Sequence, residues 1–230
     1  MEIDEIITRL KSLSNPKSVE GMARYGINPE KTLGVSIPAL RKMAKDIGRS
    51  HVLASGLWDT GIHEARILAG MIDEPDKVDD FQMEQWVRDF DSWDVCDQCC
   101  MNLFDRTGFA YHKAIEWSSR EEEFVKRAGF ALMAALAFHD KKAGDEAFLK
   151  FFPEIEKESV DERNYVKKAV NWALRQIGKR NIDLNMLAIQ TAKNIRKIDS
   201  RSARWIAADA LRELEGEAVQ KRLQDKKTKS

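Results

Sequence analysis

Cysteine, proline and long apolar runs are all scarce in this chain, and it has no excess of charge of either sign. The three cysteines, Cys96, Cys99 and Cys100, are too few and too clustered for a disulfide framework, and they fit a reducing cytoplasm. No run of 18 apolar residues exists, and MEIDEIITRL carries no basic stretch ahead of an apolar one. The expectation is a cytoplasmic chain, neither secreted nor membrane-spanning. Lys plus Arg and Asp plus Glu both count 38, so polyanion binding by bulk charge is disfavoured while a local basic stripe stays open. The five prolines (Pro16, Pro29, Pro38, Pro75, Pro153) fall at junctions or first turns, where a missing N–H costs little. Strand-like alternation of useful length is absent, as are a Walker loop, a dinucleotide fingerprint and a nucleophile elbow. His63-Glu64 fails as a zinc-protease helix because position 67 is Ile. Three sulfurs on adjacent turns of one helix cannot surround a tetrahedral ion, so the cysteines read as buried small hydrophobes.

What the chain does have is helical periodicity almost throughout. Hydrophobic residues make up 43% and charged residues 33% of 230, a combination typical of soluble helical proteins. The pattern predicts helices over about 3–13, 16–25, 37–48, 50–58, 62–73, 79–90, 92–106, 109–118, 121–138, 144–158, 162–178, 183–197, 200–214 and 217–225. Short connections imply antiparallel neighbours, with one exception, the Gly/Pro-rich loop 26–36. EARILAGMI, KRAGFALMAAL, KKAVNWALRQI and SARWIAADAL form a recurring segment whose alanines stand at 65, 128, 169 and 203. The first gap spans two units, with WDVCDQCCMNLF at 93–104 between them. Periods of roughly 30–45 residues built from two helices predict an all-α solenoid of HEAT-like repeats. The expected organisation is a single domain over 1–225 with a disordered tail at 226–230.

Fold alone names no function, and helical-repeat arrays commonly bind proteins along a concave face. Charge distribution adds a first pointer. From Asp161 to Arg204 eleven basic residues face four acids, whereas from Asp59 to Asp97 twelve acids face three bases. Lys126-Arg127, Lys167-Lys168, and Arg201 with Arg204 each open the second helix of a pair. Stacked along a concave surface, they would form a stripe that follows a phosphate backbone; ordinary first-turn surface charge gives the same pattern.

The second pointer is DSWDVCDQCC at 91–100. Ser92 is a plausible N-cap, and Trp93 and Asp97 lie four apart on one helix face. A carboxylate beside an aromatic suits a cationic transition state. A core Trp with a first-turn Asp that favours the helix dipole reads the same way.

Taken in order, several segments resemble the bacterial DNA alkylation repair family, the AlkD-like HEAT-like-repeat DNA glycosylases, over roughly residues 20–214. They are Met22-Ala23-Arg24-Tyr25, LGVSIPALR at 33–41, Leu57-Trp58-Asp59, Ser92-Trp93-Asp94-Val95-Cys96-Asp97, Arg127-Ala128 and Ala169 to Arg175. The sequence departs from the family where a tandem Trp becomes Ser92-Trp93 and where Cys96 replaces an aliphatic residue.

The resemblance implies hydrolysis of the N-glycosidic bond of cationic N3- or N7-alkylated purines in double-stranded DNA, with the base left stacked rather than flipped. It implies that Asp97 opposes the oxocarbenium-like sugar and orients a water, while Trp93 and Trp172 offer π-faces to it. Arg127 would hold a phosphate and help keep Asp97 ionised, and Tyr25 would close the N-terminal side of the cleft. Lys126, Lys167, Lys168, Arg201 and Arg204 complete the expected DNA-binding set. The expected partner is alkylated or otherwise distorted duplex DNA, met by a monomer without cofactor, metal or membrane. Two other readings stay open: a non-catalytic binder of damaged or branched DNA, and a protein-binding scaffold.

Overall fold

The fold is an all-α helical repeat, seen in a computed structural model that describes residues 2–228. The described residues form two compact units, one up to Gly108 and one from Phe109. The first contains α1 (Ile3–Ser12), α2 (Pro16–Arg24), α3 (Ile37–Ile47), α4 (His51–Asp59), α5 (His63–Ile72), α6 (Asp80–Arg88) and α7 (Trp93–Asn102). The second contains α8 (Ala110–Ser118), α9 (Glu123–His139), α10 (Asp145–Leu149), α11 (Phe151–Glu158), α12 (Asn164–Gly178), α13 (Ile182–Ile195), α14 (Arg201–Leu214) and α15 (Glu217–Lys227). No strand occurs among the described residues, and no helix there is long and apolar enough to cross a membrane.

The repeat is visible as side chains that meet at a fixed separation. In the first unit Trp58 Nε1–H donates to Asp89 at 2.9 Å and His63 meets Asp94 at 2.8 Å, both pairs 31 residues apart. In the second unit Arg127 donates to the Tyr165 carbonyl, Asn171 to Asp209 and Arg175 to Glu213, all 38 apart. Each pair joins corresponding positions of consecutive helix pairs, so the same lateral contact is made once per repeat.

The centre of the second unit is α9, packed against α8 and α12. Every residue from Val125 to Ala137 is buried, as expected of a helix apolar on all sides beyond its first turn. Gly129 sets the approach of α8, because a Cβ there would stand 2.4 Å from the Ser118 nitrogen. In the first unit α5 packs against α3, α4 and α7, and the Trp58 and Trp86 rings stack at 3.9 Å beneath it.

Several carboxylates of the acidic stretch are engaged within the first unit. Asp73 accepts from His51, from Gln82 and from the Glu74 backbone, while Asp79 caps α6 through the Gln82 N–H. Asp89 takes the Trp58 indole, Asp94 takes His63, and Glu64 takes three backbone N–H groups. Asp73 and Glu64 are fully interior acceptors, while Asp79 and Asp89 accept at the surface.

Three boundaries differ from expectation. The helix expected over 144–158 divides at Lys150, because Pro153 cannot donate to the Leu149 carbonyl and its ring crowds that group. The one expected over 92–106 stops at Asn102, where Leu103 leaves helical geometry and a short 3-10 turn, Phe104–Arg106, follows. Finally, α15 runs through Lys227, into the segment expected to be a disordered tail; residues 229–230 of that tail lie outside the described residues.

Candidate functional site

The sequence-derived site residues fall on both units, Tyr25, Trp93 and Asp97 on the first and the rest on the second. On the first unit the start of α7 is the focus. Ser92 occupies the N-cap position in extended geometry, yet its buried hydroxyl finds no partner and caps nothing. Asp94 bonds the Val95 N–H at 3.0 Å instead. Trp93 is half-buried, and its indole N–H donates to the Tyr25 carbonyl at 3.1 Å, tying α7 to the end of α2. Tyr25 itself is 75% exposed, so its ring stands at the surface. Asp97 follows one turn after Trp93 on the same line of α7 and is half-buried. The three cysteines of α7 are buried, and burial above all pushes the Cys99 and Cys100 thiols well above the usual range, leaving them unreactive.

Residues that sequence reasoning passed over surround this helix. His63 at the start of α5 is 5% exposed and bonds Asp94 Oδ2 through Nε2. Burial works against its cation, but the hydrogen bond to Asp94 and the charges of Asp94, Glu64 and Asp91 outweigh it, so His63 titrates above its ordinary 6.5. A raised histidine contributes stability that is complete below about 6.5 and lost as pH rises through its elevated folded value. The melting temperature should therefore decline across that window in the wild type and stay flatter in His63→Gln. Parallel profiles would mean that the pair does not titrate there. Glu64, 1% exposed, accepts the backbone N–H groups of Leu33, Gly34 and Val35 and so holds the 26–36 loop over α5. The signal for both was the His63-Glu64 dipeptide, set aside because it matches no metal motif.

On the second unit the basic residues divide by environment. Lys126 is buried and bound to Glu158 at 2.7 Å and Asp161 at 3.5 Å, so its charge is already spent inside the protein. Arg127 is 6% exposed and donates to the Tyr165 carbonyl at 2.6 Å, which orients it across to α12. Trp172, also on α12, is half-buried.

Glu162, just before α12, accepts from the Ser202 N–H and the Ser200 hydroxyl, and this sets the starts of α12 and α14 side by side. Lys167 and Arg201 act on Glu162 there, Arg204 follows in the first turn of α14, and exposed Lys168 stands about 100° round α12 from Lys167. Lys167 Nζ stands 5.6 Å over the ring of Trp205, a residue that is 40% exposed and was missed although it follows Arg204 directly. Arg204 pairs with Asp199 at 2.8 Å, but Asp199 is fully exposed and the pair is easily exchanged for a phosphate.

A helical repeat with an aromatic–carboxylate helix start on one unit and a basic, aromatic-bearing pair of helix starts on the other is thus defined. The chain belongs to the DNA alkylation repair enzyme family, which matches residues 6–214. A solved structure described as a new family of proteins related to the HEAT-like repeat DNA glycosylases, with affinity for branched DNA structures, has the same fold. It superposes with a TM-score of 0.78 at 18% identity, over 97% of this chain and 96% of that one. No curated protein matches the chain significantly.

Proposed function

We propose that this protein is a DNA glycosylase that hydrolyses the N-glycosidic bond of cationic N3- or N7-alkylated purines in duplex DNA, without flipping the base. The observation that carries the reading is Asp97, a half-buried carboxylate one helical turn from Trp93, in a chain of the DNA alkylation repair family. An alkylated purine is already cationic and leaves as a neutral base, so no general acid is required. What needs stabilising is the positive charge growing on the sugar, and what needs placing is one water. An ionised Asp97 serves both purposes, and the face of Trp93 adds a contact to the cationic sugar. On the second unit, the same reading gives Trp172 a π-face and Arg127 a phosphate. The test is release of base from a duplex carrying one N7-methylguanine; a wild-type protein that binds this duplex and releases nothing overturns the reading.

A second reading, binding of branched DNA without base release, is favoured by the likeness in fold to the protein described as having that affinity. The same assay, run beside a gel-shift on a four-way junction, separates the two.

Either reading needs phosphate contacts, and these are best supplied by Lys167, Lys168, Arg201 and Arg204. Lys126 is left out because Glu158 and Asp161 hold it. Replacing Lys167 and Lys168 with Ala should weaken duplex binding about equally for any sequence. The log–log salt slope should flatten by roughly 0.9 per lost contact. An unchanged slope would place both lysines on a merely solvated face.

A further inference from the structure

The first unit encloses a cavity of about 350 Å3 between α2, the loop that follows it, α5 and α7. That volume is at the small end of the range in which proteins hold organic ligands. Two neighbouring lines of side chains run along α7. Trp93 and Asp97 stand on one, while Asp94 and Gln98, each one residue further on, stand about 100° round the helix on the next. Asp94 and Gln98 line the cavity, and Trp93 forms part of the same wall.

The polar groups of this cavity are an acceptor and donors with work left to do. His63 lies in its floor at 5% exposure, and the bond its ring makes among the described residues runs from Nε2 to Asp94. With the ring proton on Nε2 given to Asp94, Nδ1 is an acceptor left for an occupant's N–H. Gln98 receives the Asn102 amide on Oε1 at 3.1 Å, which leaves its own N–H groups to give. Met22, Ile67 and the Trp93 ring supply flat apolar walls. Asp94 beside the cavity, with Glu64 and Asp91 close enough to act on His63, makes the site hostile to an anion. The matching ligand is therefore small, planar, uncharged or weakly cationic, and carries a donor beside an acceptor along one edge. Those are the properties of a purine base.

We propose that this cavity binds a free purine base, its ring against Trp93, an N–H of its edge toward His63 Nδ1 and a ring acceptor toward Gln98. The inference rests on the proposed glycosylase reading only for the source of the base, which base release would supply beside Trp93.

The test uses the whole DNA-free protein and free 3-methyladenine, followed by the NMR signals of the indole N–H groups and histidine rings. Titration should shift the Trp93 indole and the His63 ring in a saturable way at millimolar concentration or below, and leave the Trp172 indole in place. Gln98→Leu should weaken binding about tenfold, the equivalent of 1.4 kcal/mol, while the remaining spectrum stays that of the folded protein. Indole, flat but without ring acceptors, should bind at least tenfold more weakly than the purine. Absence of a shift, a shift centred on Trp172, or equal affinity in Gln98→Leu each overturns the proposal. Failures of the two readings are distinguishable. Binding of free base by a protein that releases none from DNA leaves the cavity site standing and removes the glycosylase. Release from DNA without binding of free base does the reverse.

Discussion

Asp97→Asn should lower single-turnover release of 7-methylguanine by about 10²-fold or more, while duplex affinity holds or tightens slightly. The substitution keeps the size and nearly the shape of the side chain, so the half-buried position on α7 is still filled. It removes the charge that would oppose the developing cation and the stronger acceptor that would orient the water. A positioned carboxylate of this kind contributes on the order of 3 kcal/mol to a transition state, which sets the expected factor. Binding moves the other way because one negative charge near phosphates is lost. Asp94 is the nearest carboxylate on the helix, but Asp94→Asn also removes the partner of buried His63, so it perturbs the fold as well as the field. Asp91, exposed just before α7, is the cleaner control and should cost little. Equal losses in Asp97→Asn and Asp91→Asn would point to general electrostatics. Unimpaired release in Asp97→Asn would remove the carboxylate from the mechanism.

The helices were legible because apolar residues recur with helical period, and the repeat was legible because small residues recur where α5, α9, α12 and α14 are packed against neighbours. What escaped was local and steric: Pro153 one turn past Leu149 divides one expected helix, and Leu103 ends another. In the site, Trp93, Asp97 and Tyr25 were readable as motif residues, since each stands in a short recognisable segment. The pairing of His63 with Asp94 was not, because it spans 31 residues and follows only from the stacking of α5 on α7. Charge in the sequence did not give the environment of each residue. Lys126 and Arg127 are adjacent in sequence and both buried, yet one is consumed by two carboxylates and the other reaches a carbonyl. Within the acidic stretch from Asp59 to Asp97, Glu64 and Asp73 are buried acceptors, whereas Asp59, Asp76, Asp79, Asp80 and Asp91 are exposed. A sequence gives the sign of a residue and its helix face, whereas the partner depends on which repeat lies opposite.

Glu64→Ala should destabilise the protein by on the order of 3 kcal/mol or more, because it strands three backbone donors at once. Glu64 Oε1 accepts from Gly34 at 2.6 Å and Val35 at 3.1 Å, and Oε2 accepts from Leu33 at 2.8 Å. Three successive N–H groups on one carboxylate form an anion-binding nest that the protein fills with its own side chain. Gly34 makes this possible: its φ of +78° turns the chain, and a Cβ there would stand 2.3 Å from the Asn15 carbonyl oxygen. With alanine at position 64, water cannot easily replace the carboxylate, since the site is 1% exposed. A loss of that size corresponds to a fall in melting temperature of very roughly 6–12 °C for a chain of this length. Glu64→Gln keeps two lone pairs on one oxygen and should fall between alanine and wild type. Glu74→Ala removes a carboxylate that holds only the His51 N–H and Lys77 near the surface, and should cost about 1 kcal/mol or less. Hydrogen exchange reports the cause directly: in Glu64→Ala the amides of Leu33, Gly34 and Val35 should lose protection well before those of α9. Retained protection of all three amides, with an unchanged melting temperature, would mean that the 26–36 loop is held by its own turns and that Glu64 merely fills space beneath it.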